Sequence, residues 1–126
     1  MKVEDVIQDI NELVNKISII EQEITDKTRI VKDFFIKASS AMTEKQNYLL
    51  TGIQFCAVTK PYLLTFRGIE VVGEEEVIPT STFIDNVIHF ANYPNKKIEV
   101  LKELATHLEK IYQLVNIDCS SSAVSS

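Results

Sequence analysis

Asp85 and His89 stand four residues apart in "TFIDNVIH", the spacing at which a carboxylate can orient an imidazole or share a metal ion with it. A metal site needs a third donor, and the sequence shows none at a matching interval, so the pair reads as a surface ion pair on a short helix. His107 lies between apolar neighbours and is expected on the polar face of its own helix. Cys56 falls in an apolar run and Cys119 opens a serine-rich end, with neither metal-ligand spacing nor a disulfide framework. Glu74–Glu76 form a small acidic run that would suit a basic partner, though a solvated turn is the simpler reading. No nucleophile, base and orienting group can be assembled from these residues. The expectation is a non-enzyme with no catalytic residue, no metal ligand and no cofactor.

One further constellation bears on ligand binding. Tyr48, Phe55, Tyr62 and Phe66 are spaced so that they could line an aromatic pocket between a hairpin and helices, which would make the chain a small ligand-binding or regulatory domain. Aromatic residues at this density are more often the material of a plain core.

The elements that must carry these residues are mainly helical. From Val3 the apolar residues keep a seven-residue repeat, with Val3, Ile10, Ile17, Ile24 and Val31 on one row and Val6, Leu13, Ile20 and Phe34 on the other. Lys27 is the exception. This is the spacing of helices that pack lengthwise, and no glycine or proline occurs before Gly52. The pattern predicts one continuous helix over about 2–42, about 60 Å long at 1.5 Å per residue. Thr25, Asp26 and Thr28 are weak helix formers, each unfavourable by only about 0.5 kcal/mol, and Lys27 can extend its ammonium outward from the stripe. The row that includes Ile7, Val14, Phe35 and Met42 widens the stripe to that of a bundle.

Thr43 and Gln46 have capping-box spacing, and the segment 44–59 fits either helix or strand, with helix to about Thr59 preferred because it continues helical sequence. Lys60-Pro61 stops it. "YLLTFRGIEVV" reads as a β-hairpin over 62–72 turned at Arg67-Gly68. Thr82 as a cap, with Ile84, Val87, Ile88 and Ala91 on one face, gives a short helix. After "NYPNKK" a last helix of about 22 residues repeats the heptad through Ile98, Leu101, Ala105, Leu108, Tyr112 and Val115. The fold class is mainly α (α+β): a long N-terminal heptad helix, a C-terminal helix, one or two shorter helices and a small hairpin. Residues 1–118 form the single domain, and 119–126 are expected to be a disordered tail.

Composition narrows the function classes. Apolar residues at 45% and charged residues at 25% are globular values. A net charge of −5 with scattered lysines offers no footprint for nucleic acid. The longest uncharged run, Gln46–Thr59, is short of the roughly 20 residues of a membrane span, and the N-terminus lacks a signal-type apolar core, so a cytoplasmic protein is expected. Since the last helix is about half the length of the first, part of the first stripe lacks a cover. The expectation is therefore a structural or adaptor protein that pairs with itself, or joins another helical protein, through Val3, Val6, Ile10, Leu13, Ile17, Ile20, Ile24, Lys27, Val31 and Phe34.

Overall fold

The threonines and aspartate of "ITDKT" do not interrupt a helix. In the computed structural model, which describes residues 2–15 and 21–115, they lie within α2 (Glu21–Ala41), and α1 (Val3–Val14) is a separate helix closed at Asn15. The Thr28 hydroxyl donates to the Ile24 carbonyl at 2.7 Å, so this weak helix former bonds back into its own helix. The single helix over 2–42 is thus corrected to two. The evidence is a contact: Lys27 Nζ meets Asp9 Oδ2 at 3.0 Å. In one straight helix those residues would be about 27 Å apart along the axis, so α1 and α2 fold back on one another. Lys27 is not a tolerated misfit in a stripe; it answers a carboxylate on the neighbouring helix.

Six short strands and two more helices complete the described chain: β1 (Tyr48–Leu49), β2 (Gln54–Phe55), β3 (Val58–Thr59), β4 (Tyr62–Thr65), β5 (Gly68–Val71), β6 (Val77–Ile78), α3 (Thr80–His89) and α4 (Pro94–Leu114). The structure is mainly α with a small antiparallel sheet, as the sequence pattern predicts. That sheet runs β1-β4-β5-β6, and β2 and β3 form a separate hairpin. The 62–72 hairpin is present as β4 and β5, with Phe66 and Arg67 as the connection and Thr65 paired to Gly68. Gly68 has φ +129, and a Cβ there would lie 2.8 Å from the Ile78 carbonyl oxygen of β6, so the residue is glycine because a strand passes over it.

Helix over 44–59 is corrected to strand and turn. One of the two Thr43–Gln46 capping bonds forms, with Thr43 N–H donating to Gln46 Oε1 at 2.9 Å, while the Gln46 N–H donates to the Thr43 carbonyl at 3.1 Å; together they close one turn and not a helix. Gln46 Nε2 instead donates to the Leu114 carbonyl at the end of α4. Gly52 then takes φ +79, which ends any helical path.

The core lies where α4 packs on α1 and α2, and it continues under the inner face of the sheet, on which α3 packs. α1 packs chiefly on α4, and α2 packs on α3 and α4. Ile10, Val31, Phe35, Leu101, Leu104 and Leu108 are wholly buried there. Tyr48, Leu64, Ile69 and Ile78 form the inward row across the sheet, and Leu49, Leu63, Glu70 and Val77 the outward one. α4 begins at Pro94, a favoured first helical residue, and α3 starts two residues before the predicted Thr82 cap.

Candidate functional site

The heptad residues named above as an association surface are largely internal. Val3, Val6, Ile10, Leu13, Ile24, Val31 and Phe34 are buried within the chain, Lys27 is paired with Asp9, and Ile17 and Ile20 lie outside the described residues. The reason for pairing was a stripe without a cover; because the helix is two helices, α1 itself lies on α4 and that reason is removed.

The four aromatic residues do not converge on a pocket either. Phe55 stacks on Phe83 at 5.4 Å, Tyr62 meets both rings edge-on, and the Tyr62 hydroxyl donates to the Val58 carbonyl at 2.9 Å. That cluster is core, and it seats the β2–β3 hairpin on α3. Tyr48 points elsewhere, to His107, and Phe66 sits on the β4–β5 turn.

His107, expected on a polar face, is instead only 9% exposed. Its Nε2 faces the Thr51 carbonyl at 2.9 Å, and its Nδ1 lies 2.7 Å from the Tyr48 hydroxyl. A carbonyl only accepts, so in the neutral ring Nε2 carries the proton and Nδ1 accepts from Tyr48. The histidine ties α4 to the 48–51 segment, and burial raises the Tyr48 hydroxyl above its ordinary 10.0. Asp85 and His89 are not partners: Asp85 pairs with Lys32 at 3.1 Å, and His89 packs edge-on against Phe90. Among the described residues no group of three His, Cys, Asp or Glu side chains is placed to hold a metal ion. Glu74 of the acidic run pairs with Lys60 at 2.9 Å on an exposed turn.

The surface that does stand out was not singled out by sequence reasoning. At the α3–α4 connection Phe90 is 47% and Tyr93 73% exposed, beside a groove of about 370 Å³ that Val87 and Val100 line from the helices, Ala91 from the connection, and Gln54 and Ala57 from the hairpin. Local rules explain the exposure. Phe90 closes α3, its N–H bonded to the Asn86 carbonyl, and Tyr93 precedes Pro94, which holds it extended at φ −121 as the N-cap of α4. Lys96 is the single charged residue of this lining.

The far wall is set by an unusual turn. Cys56 and Ala57 both take positive φ, +53 and +61, as a two-residue hairpin loop of this twist requires, although glycine or asparagine is the ordinary choice. Asn86 of α3 holds the turn: the Cys56 N–H donates to its Oδ1 at 2.8 Å, and its Nδ2 donates to Cys56 Sγ at 3.4 Å. The "NYPNKK" segment at 92–97 was legible as a turn, although its last four residues open α4; that the connection would leave aromatics uncovered depended on the hairpin's position. Comparison with protein-family models, with curated proteins and with solved structures gives no match.

Proposed function

We propose that the chain is a non-enzymatic structural or adaptor protein that joins a complex through the groove at the α3–α4 connection. The observation that carries this reading is the exposure of Phe90 and Tyr93 over an apolar groove. Aromatic side chains supply most of the binding energy at protein interfaces, because they remove large areas from water at the expense of few rotatable bonds. Strained backbone at Cys56 and Ala57 supports it, since such conformations concentrate at binding surfaces whose shape has been fixed in advance. The partner is a protein segment with apolar side chains for the groove; Lys96 already has the Glu99 carboxylate at 3.8 Å. Its setting is the cytoplasm; no helix among the described residues is long and apolar enough to cross a membrane.

A photo-activated benzoyl-phenylalanine at position 93 tests this in cells of the native source. A discrete cross-linked adduct that disappears when Phe90→Asp is added, with the helical circular dichroism unchanged, is the expected result. An adduct of twice the 14.3 kDa chain mass identifies the partner as a second copy. No adduct, or the same adducts from a probe at exposed Glu75, overturns the proposal.

A further inference from the structure

A second cleft, of about 400 Å³, lies between α2, α3 and the first turns of α4. Its floor is apolar, made by the buried side chains of Ile24 and Ile88. Its rim carries Arg29, Lys32, Lys97 and His89 against Glu21 and Asp85. The chain as a whole bears a net charge of −5, so this is a local reversal of sign.

Internal pairing leaves a definite remainder. Lys32 is answered by Asp85 at 3.1 Å. The Lys97 ammonium donates to the Ile88 carbonyl at 3.0 Å and meets no carboxylate among the described residues. Arg29 is exposed and has no hydrogen bond or ion pair to another described residue, and His89 faces the same space from α3. Glu21 opposes them from eight residues before Arg29 on α2, about 12 Å along the axis between the two backbone positions, and no ion pair joins the two.

We infer that this cleft binds an amphiphilic organic anion, with its carboxylate or phosphate head on the planar fork of Arg29 and its apolar body over Ile24 and Ile88. A guanidinium presents paired donors that fit either head group, and the Lys97 ammonium lining the same cleft disfavours a cationic ligand. The volume is that of ordinary small-molecule sites. The inference stands apart from the Phe90–Tyr93 groove, which a different set of residues lines.

Three probes on the full chain test it by amide chemical-shift titration: octanoate, octylammonium with the same body and opposite charge, and inorganic phosphate with charge and no body. Octanoate should shift the amides of residues 24–32 and 85–89 and bind about tenfold more tightly than either of the others, the scale of one charge-assisted bidentate contact. Arg29→Ala should lower octanoate affinity about tenfold, with Arg29→Lys recovering part of it, and neither should change the thermal melt, since the side chain is exposed. Octylammonium binding as well as octanoate, phosphate binding as well as octanoate, a footprint centred on Tyr93, or an Arg29→Ala variant that binds octanoate unchanged would each overturn the assignment.

Discussion

Ile10 decides whether the N-terminal stripe belongs to one chain or two. Its side chain is wholly buried on the face of α1, the helix that packs chiefly on α4. Truncation to alanine removes three carbons, about 2.4 kcal/mol at 0.8 kcal/mol each, and a wholly enclosed site adds a cavity term, for a total of about 3–4 kcal/mol. With an unfolding entropy of about 2.1 cal/mol/K per residue, that lowers the melting temperature by about 11–15 °C. Urea unfolding followed by circular dichroism, at two protein concentrations tenfold apart, measures it. The expected outcome is the full loss at both concentrations with the same midpoint in each, because the contact is intramolecular. Val14→Ala on the same helix, where the side chain is 42% exposed, should change stability by less than about 0.5 kcal/mol. A wild-type midpoint that climbs with concentration, or a loss under about 1 kcal/mol for Ile10→Ala, would refute the packing of α1 on α4 as the reason the stripe is covered.

Gly68→Ala should destabilise by about 2–3 kcal/mol, since it adds both a strained φ and a collision with the Ile78 carbonyl; Gly73→Ala, where φ is +87 but nothing lies within 4 Å, should lose only about 1 kcal/mol, and equal losses in chemical denaturation would show that the collision contributes nothing. Burial raises the hydroxyls of Tyr48 and Tyr62 above 10.0, with Lys60 partly opposing the shift at Tyr62. The unfolded chain therefore ionises first, and stability present below pH 10 should fall as pH rises past it, less so in a Tyr48→Phe, Tyr62→Phe variant; a wild-type loss no steeper than the variant's refutes this contribution.

The parts of the fold written in local chemistry were legible. The β4–β5 hairpin followed from its β-rich runs and glycine, and the heptad rows correctly named the buried side of α1, α2 and α4, although α4 opens at Pro94, inside the segment read as a turn. What failed was the continuity of the first helix. Ile17 and Ile20 keep the repeat in register, so periodicity carried no mark of a boundary, and Asn15 was the one cue in the residues themselves. Length offered another: about 60 Å of helix is twice the width of a small domain. Segment 44–59 was ambiguous because its alternation and its helical spacing score alike, and the deciding positive φ values at Gly52, Cys56 and Ala57 are imposed from elsewhere in two of the three cases. His107 was misplaced for the same kind of reason, since its partner Tyr48 lies 59 residues away. The groove was invisible at the sequence level because no single element contains it.

The Cys56–Ala57 turn has a bearing on the order of folding. Neither residue favours the left-handed region, so the isolated β2–β3 ribbon is under conformational strain of about 1–2 kcal/mol for each of them. Its stabilising bond comes from Asn86, thirty residues downstream. The ribbon is therefore a late element, closed only after α3 has formed and settled against Phe55 and Tyr62, and one of the earliest to let go when α3 loosens. Amide exchange at Cys56 then reports on α3 and not on the ribbon itself, and any molecule that grips the ribbon in its folded shape tightens a helix it need never touch.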